Sequence, residues 1–239
     1  MRKVSIIIPA YNEEKTILDV LQSISRIRID ELEFEVIVID DGSSDRTAEI
    51  LSANSDLYTK FVKMTTNSGK GAAVKTGIKH ATGEYVLFQD ADLEYSPSDY
   101  PKLLKPLTLF SADAVLGSRL TAPEYTRVFY FWHKVGNQLI TLLFNILNNT
   151  TFTDIYSCYF VYRRNLFCAD DLLSTGWEQH AEILSRAVAR TSNIYEVPIS
   201  YRGRTYEEGK KIKAYHVFAV VKMIVSRAIA RRLSFQKRS

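Results

Sequence analysis

Three acids stand two apart where an apolar run ends. In "YVLFQDADLEY", Tyr85 to Phe88 suit a buried strand, and Asp90, Asp92 and Glu94 follow it. If the chain stays extended past Phe88, residues two apart point the same way, so Asp90 and Asp92 would share a face. Two carboxylates held close repel, and neither ionises comfortably without a cation. A hard divalent ion relieves this: Mg²⁺ or Mn²⁺ takes one or two carboxylates and fills its other positions with phosphate oxygens. Such an ion would neutralise a diphosphate as it departs. Spacing alone leaves a second reading open, with Asp90 to Glu94 as solvated loop acids or caps for a helix after Pro97.

A second acidic corner favours the first reading. "VIDDGSSD" ends another apolar run in Asp40 and Asp41, with Gly42 just behind. A carboxylate at a strand end beside a helix start accepts from a ribose hydroxyl or a base N–H. Asp45 reads as a cap for the next helix, with Ser43 and Ser44 as competitors. Together the two corners suit a nucleotide diphosphate with a metal.

The elements that must position these corners alternate along the first half. "KVSIIIPA", "FEVIVIDD", "FVKMT", "EYVLFQD" and "DAVLGSR" read as strands. "NEEKTILDVLQSISRI" sets Ile17, Leu18, Leu21 and Ile24 at helical spacing, and "SSDRTAEILSA", "KGAAVKTGIKHA" and "SDYPKLLKPLTLF" read as further helices. Apolar strands separated by helices predict an α/β fold, a mostly parallel sheet covered on both faces. Ligands in such sheets bind beyond the strands' carboxyl ends. That rule predicts four groups on one rim: Tyr11-Asn12-Glu13, Asp40-Asp41-Gly42, Asp90-Ala91-Asp92 and Ser118-Arg119.

With 239 residues, 46% of them hydrophobic, the chain supports one large core. Cys158 and Cys168 have no metal-ligand spacing, so a reducing compartment without a disulfide framework is expected. "MRKVSIIIPAYNEE" reads as a first strand, not a signal peptide, because its apolar run is short and Pro9 breaks it. Lys70 invites a phosphate-loop reading, but G-x-x-x-x-G-K-[ST] is absent; Gly69 and Gly71 are expected to serve a turn into the helix. Net charge is +4, yet nine cations and no acid follow Glu208, which leaves the first 208 residues at −5. A basic tail on an acidic body calls for an anionic partner or surface.

"SIIIPAYNEE", "VIDDGSSDRT", "NSGKGAAVKTGIKHATGEYVLFQDADLEY" and "ADAVLGSR" resemble, in order and spacing, the family 2 glycosyltransferases of the GT-A (Rossmann-like) fold. Within that family the likeness is to the dolichyl- or polyprenyl-phosphate sugar synthases, from about residue 3 to about 215. The resemblance implies a GT-A catalytic domain over 1–213, with a nucleotide-sugar half (1–125) and an acceptor half (126–213), and a basic amphipathic tail over 214–239. Pro9, Tyr11, Glu13 and Asp41 match its nucleotide-contacting positions. Asp90 and Asp92, with Ala91 between them, match its metal element for Mg²⁺ or Mn²⁺. Glu94 matches a neighbouring position near that metal, and Arg119 a phosphate-binding arginine. "TDIYSCYFVYRR" resembles a later element through Asp154, Arg163 and Arg164, but departs from it at Tyr156, Cys158 and Phe160. His133 stands where some members carry a phosphate-binding arginine, and Glu182 where the group keeps an acid. Arg202, Arg204, Lys210 and Lys211 surround Gly209 as a mobile basic loop over phosphates, Arg204 and Lys210 contributing to the donor site. The catalytic candidates are Asp92, Arg119 and Asp154.

The implied reaction is inverting transfer of a sugar from GDP-mannose or a UDP-sugar to a polyprenyl or dolichyl phosphate. A phosphate acceptor, with a second pKa of about 6, needs cations rather than a base. Arg163, Arg164, Arg202, Arg204 and Lys210 would supply them. "VFYFWHKVGNQLITLLFNIL" and "AYHVFAVVKMIVSRAIARRL" are apolar but interrupted by charge, which predicts an interfacial association and no spanning helix. A peripheral enzyme on the cytoplasmic face of a membrane is therefore expected, with no nucleic-acid partner and an unread oligomeric state. Two competitors remain. One is a family member acting on a saccharide hydroxyl, although the Q-x-x-R-W of processive synthases is absent. The other is an inactive membrane-bound scaffold, opposed by intact Asp90, Asp92 and Arg119. Sugar-phosphate nucleotidyltransferases begin with a Gly-rich loop, where this chain has "PAYNEE".

Overall fold

The computed structural model describes residues 1–121, 131–204 and 216–236. Four apolar runs form strands β1 (Arg2–Ala10), β2 (Leu32–Asp40), β3 (Lys60–Lys63) and β4 (Tyr85–Phe88). They pair in parallel in the order β3-β2-β1-β4, linked by α1 (Ile17–Ser25), α2 (Thr47–Ala53) and α3 (Lys70–His80). Ile6, Ile7 and Ile8 are all buried, as a strand covered on both faces requires. Because β2 and β4 flank β1 on opposite sides, the chain reverses its direction of winding there. A crevice opens at such a switch point.

Pro9 fits that crevice. Its missing N–H faces the β4 side, and pairing with β4 has already ended at Ile7 and Phe88. Past Phe88 the chain turns through Ala91 and Asp92, and Leu93 takes a φ of +60°. The extended alternation expected for Asp90 and Asp92 therefore does not operate, and each carboxylate meets its own partner.

After α4 (Tyr100–Leu109) comes β5 (Ala114–Ser118), which is not beside β4. β6 (Phe160–Arg163) inserts between them, antiparallel to both, and β7 (Ile194–Pro198) lies parallel to β5 at the edge. β5 still runs in the direction of β4, so Arg119 emerges on the same rim. Among the described residues this makes one seven-stranded sheet, completed by strands from the second half of the chain.

Among the described residues, three α-helices come from that half: α5 (Phe131–Asn148), α6 (Gln179–Val188) and α7 (His216–Gln236). Along α7, Val220, Ile224 and Ala228 are buried on the side that meets α6, while Phe218, Lys222 and Ile229 are exposed. Asp45 is the acid that starts α2: its Oδ1 accepts from the Thr47 N–H at 2.9 Å. Ser43 and Ser44 instead bond Asn12, which laces the first two rim loops together.

Candidate active site

Asp90 is met by a lysine. Lys70 Nζ donates to Asp90 Oδ1 at 2.5 Å. Lys70 opens α3, and the turn before it is held by Asp41, which accepts from the N–H groups of Ser68 (2.8 Å) and Gly69 (2.9 Å). Gly69 has a φ of +95°, and a Cβ there would come within 2.6 Å of the Thr175 carbonyl oxygen, so glycine is required. Burial raises the Asp41 carboxyl in spite of its two N–H donors. Burial would depress Lys70, but Asp90 beside it holds the ammonium above its ordinary value. Asp90 in turn stays below the usual carboxylate range despite its own burial, because Lys70 is there. The N–H groups of Gly71 and Ala72 both point to Thr175 O (2.8 and 3.3 Å), so the start of α3 cradles a carbonyl where a phosphate loop would cradle phosphate.

An arginine bridges the other acids. Arg204 Nη2 lies 3.0 Å from Glu13 Oε2 and 3.4 Å from Asp92 Oδ2, and its Nε donates to Asp92 O at 3.1 Å. Glu94 accepts from the Arg204 N–H (2.6 Å) and from the Tyr201 hydroxyl (2.9 Å). The Arg119 guanidinium sits 4.9 Å over the Tyr201 ring. Asp154, fully buried, grips Arg119 at both ends of its fork: Nε to Oδ2 at 2.6 Å and Nη2 to Oδ1 at 2.8 Å. Asn137 of α5 donates to the same Oδ1 at 2.9 Å. Burial would lower Arg119, yet the Asp154 charge holds it well above its usual value. Asp154 lies below its own ordinary value, since Arg119 outweighs desolvation. Tyr11 stands partly exposed at the mouth, and Ala91 O accepts from the Thr16 hydroxyl at 2.7 Å. One chain of contacts thus runs from Glu13 through Arg204, Asp92, Glu94 and Tyr201 to Arg119 and Asp154.

A family model described as "Glycosyl transferase family 2" matches residues 5–168. The chain belongs to that family. This family 2 glycosyltransferase is 30% identical over 229 residues to the dolichol-phosphate mannosyltransferase of Pyrococcus furiosus, covering 92% of this chain and 64% of that one. It is 34% identical over 205 residues to glycosyltransferase AglJ of Haloferax volcanii, covering 84% and 63%. The chain spans about half to two thirds of the length of the curated relatives it matches. Among solved structures, glucosyl-3-phosphoglycerate synthase of Mycobacterium tuberculosis, with Mn²⁺, UDP and phosphoglyceric acid, superposes with a TM-score of 0.71. That match is 23% identical and covers 96% of this chain and 78% of that one. It establishes the GT-A fold.

Among the described residues, no three His, Cys, Asp or Glu side chains form a ready cage for a metal. An octahedral Mg²⁺ does not need one, since one or two carboxylates suffice when a substrate diphosphate supplies further oxygens. The glycosyltransferase rim fits that demand. Asp92 carries the lightest commitments there, a 3.1 Å bond from the Glu94 N–H and the 3.4 Å contact with Arg204. Its side chain keeps 23% of its surface.

Several expected residues lie elsewhere. Arg163 pairs with Glu84 (2.5 Å) and Asp113 (3.1 Å), and Arg164 donates to Gly83 O. Antiparallel pairing sets Arg163 opposite Tyr85, at the far end of β4 from the rim, so neither arginine serves an acceptor there. Glu182 is buried and accepts from the N–H groups of Leu173 and Ser174 as well as pairing with Arg186, which accounts for an acid at that place. His133 is exposed on the first turn of α5. Lys210 and Lys211 lie outside the described residues. Lys70, Tyr201 and Asn137 also join the network, Tyr201 and Asn137 with no prior signal. For Lys70 one was present: a lone cation opening the helix that crosses to the rim beside β4.

Proposed function

We propose that this chain is an inverting hexosyltransferase that moves a sugar from a nucleoside diphosphate to a polyprenyl-type lipid phosphate at a membrane surface. One observation carries the acceptor. Asn137 ties α5 to the Asp154–Arg119 pair, and the opposite side of α5 is an apolar stripe of Trp132, Leu139, Leu142 and Ile146. Their spacing of seven, three and four residues keeps them on one helix face. α7 packs beside it, Arg231 donating to Leu147 O, and adds Phe218, Ile229, Lys222 and Arg232 to the exposed surface. Apolar anchors among basic residues suit the surface of an anionic bilayer. Among the described residues no helix is long and apolar enough to cross one.

In the reaction, an acceptor phosphate oxygen attacks the anomeric carbon as the bond to the diphosphate oxygen breaks. The leaving electron pair stays on the nucleoside diphosphate. Arg119, preorganised by Asp154, stabilises the charge that develops on the leaving diphosphate in this scheme. Asp154 is a positioning residue in this scheme, since Arg119 separates it from the rim. Asp92, with Asp90 and Glu94 beside it, would hold the divalent ion, which supplies charge neutralisation at the diphosphate when bound. Pro9, Tyr11, Glu13 and Asp41 frame the nucleotide, and Arg204 and Lys210 complete the phosphate site. A hydroxyl acceptor would need a carboxylate ready to take its proton. Glu13, Asp90, Asp92 and Glu94 each already accept from a donor of the chain itself.

Purified protein screened against UDP- and GDP-sugars with Mg²⁺ or Mn²⁺ is expected to consume donor only when a polyprenyl phosphate is present. Equal transfer to a saccharide without lipid phosphate would sink the assignment. The surface half of the reading has its own check. Trp132→Ser combined with Phe218→Ser should cut sedimentation with phosphatidylglycerol vesicles several-fold, and added salt should weaken what remains. Unchanged sedimentation would remove the membrane from the scheme.

A further inference from the structure

Behind the diphosphate site lies a group that the scheme above leaves without a task. Lys70 Nζ, 2.5 Å from Asp90, also sits 5.2 Å over the Trp177 ring. These side chains are not sealed into the core: Lys70 and Asp90 keep 19% and 15% of their surface, and Trp177 is half-buried. They are braced from behind. Asp41 fixes the turn before Lys70, Thr175 O receives the start of α3, and Glu182 pins Leu173 and Ser174 ahead of Trp177.

A flat ring beside one fixed ammonium donor and one fixed carboxylate acceptor has the chemistry of a pyranose site. The ring covers the C–H face, and the two polar groups meet neighbouring hydroxyls at its edge. The lysine and the aspartate also cancel in charge, which suits a neutral hexose better than a glycuronic acid. We infer that Lys70 and Trp177, with Asp90, form the subsite that grips the transferred hexose and selects it. This inference rests on the nucleotide-sugar reading proposed above.

Trp132 and Trp177 are the two tryptophans of the chain, so Trp132→Phe leaves Trp177 as a single reporter. With Mg²⁺ present, its emission is expected to shift with UDP-glucose or GDP-mannose and to stay unchanged with UDP or GDP. In calorimetry, Trp177→Ala should weaken the nucleotide-sugar by about tenfold and the free diphosphate by less than about twofold, with Trp177→Phe retaining most affinity. Lys70→Met should show the same selectivity, and UDP-glucuronic acid should bind no tighter than UDP-glucose. Equal losses for sugar-linked and free diphosphate, no loss for either, or an emission change common to both would overturn the subsite alone. Wild-type protein that binds neither ligand would overturn the donor reading, and the subsite with it.

Discussion

Asp92→Ala is expected to reduce sugar transfer by roughly 10³-fold or more while the fold persists. The expectation follows from how little of the protein Asp92 supports. It receives one backbone N–H and a 3.4 Å contact from Arg204, and that arginine keeps Glu13 at 3.0 Å when Asp92 is gone. The loss should therefore fall on the ion and the diphosphate, not on packing. Turnover with Mg²⁺ or Mn²⁺, Mn²⁺ binding by electron paramagnetic resonance, and thermal melting separate the two. Asp92→Asn preserves the bond to Glu94 but not the charge, and should be nearly as inactive. Wild-type turnover in either variant would remove Asp92 from the metal's coordination.

Asp154→Ala should instead fail as a structure. Removing it strands the Arg119 guanidinium, whose side chain keeps 16% of its surface, against a fully buried and emptied partner site. Breaking one side of a buried pair typically costs about 3–5 kcal/mol. For a chain of this size that lowers the melting temperature by on the order of 10 °C. Replacing both partners by apolar residues, Arg119→Met with Asp154→Leu, should recover much of the stability and none of the transfer. Denaturant unfolding of the three variants decides it: a loss below about 1 kcal/mol in Asp154→Ala would mean that the pair is not the anchor described.

The difference between these variants marks where the chain was legible and where it was not. β1, β2 and β4 announced themselves because a strand buried on both faces must be apolar at every position, as Ile6 to Ile8 are. The four rim groups followed from strand direction alone. What the spacing of Asp90 and Asp92 could not reveal was the turn beyond Phe88, since Leu93 at φ +60° carries no residue-type signature. Pairings between distant segments were equally silent. Nothing local in "RGRT" says that Arg204 will reach back to Glu13, or that Asn137 will meet Asp154. Arg163 and Arg164 looked like acceptor ligands until the antiparallel register of β6 carried them to the other end of the sheet.

That register bears on how the molecule is made. β5 hydrogen-bonds to β6 on one side and β7 on the other, and both are synthesised after it. A ribosome that has released only the first 125 residues has therefore delivered a strand whose native neighbours on both sides are still to be made. Arg119 acquires its surroundings only when Asp154 and Tyr201 arrive, so this corner of the rim is assembled last, across long loops whose closure is slow.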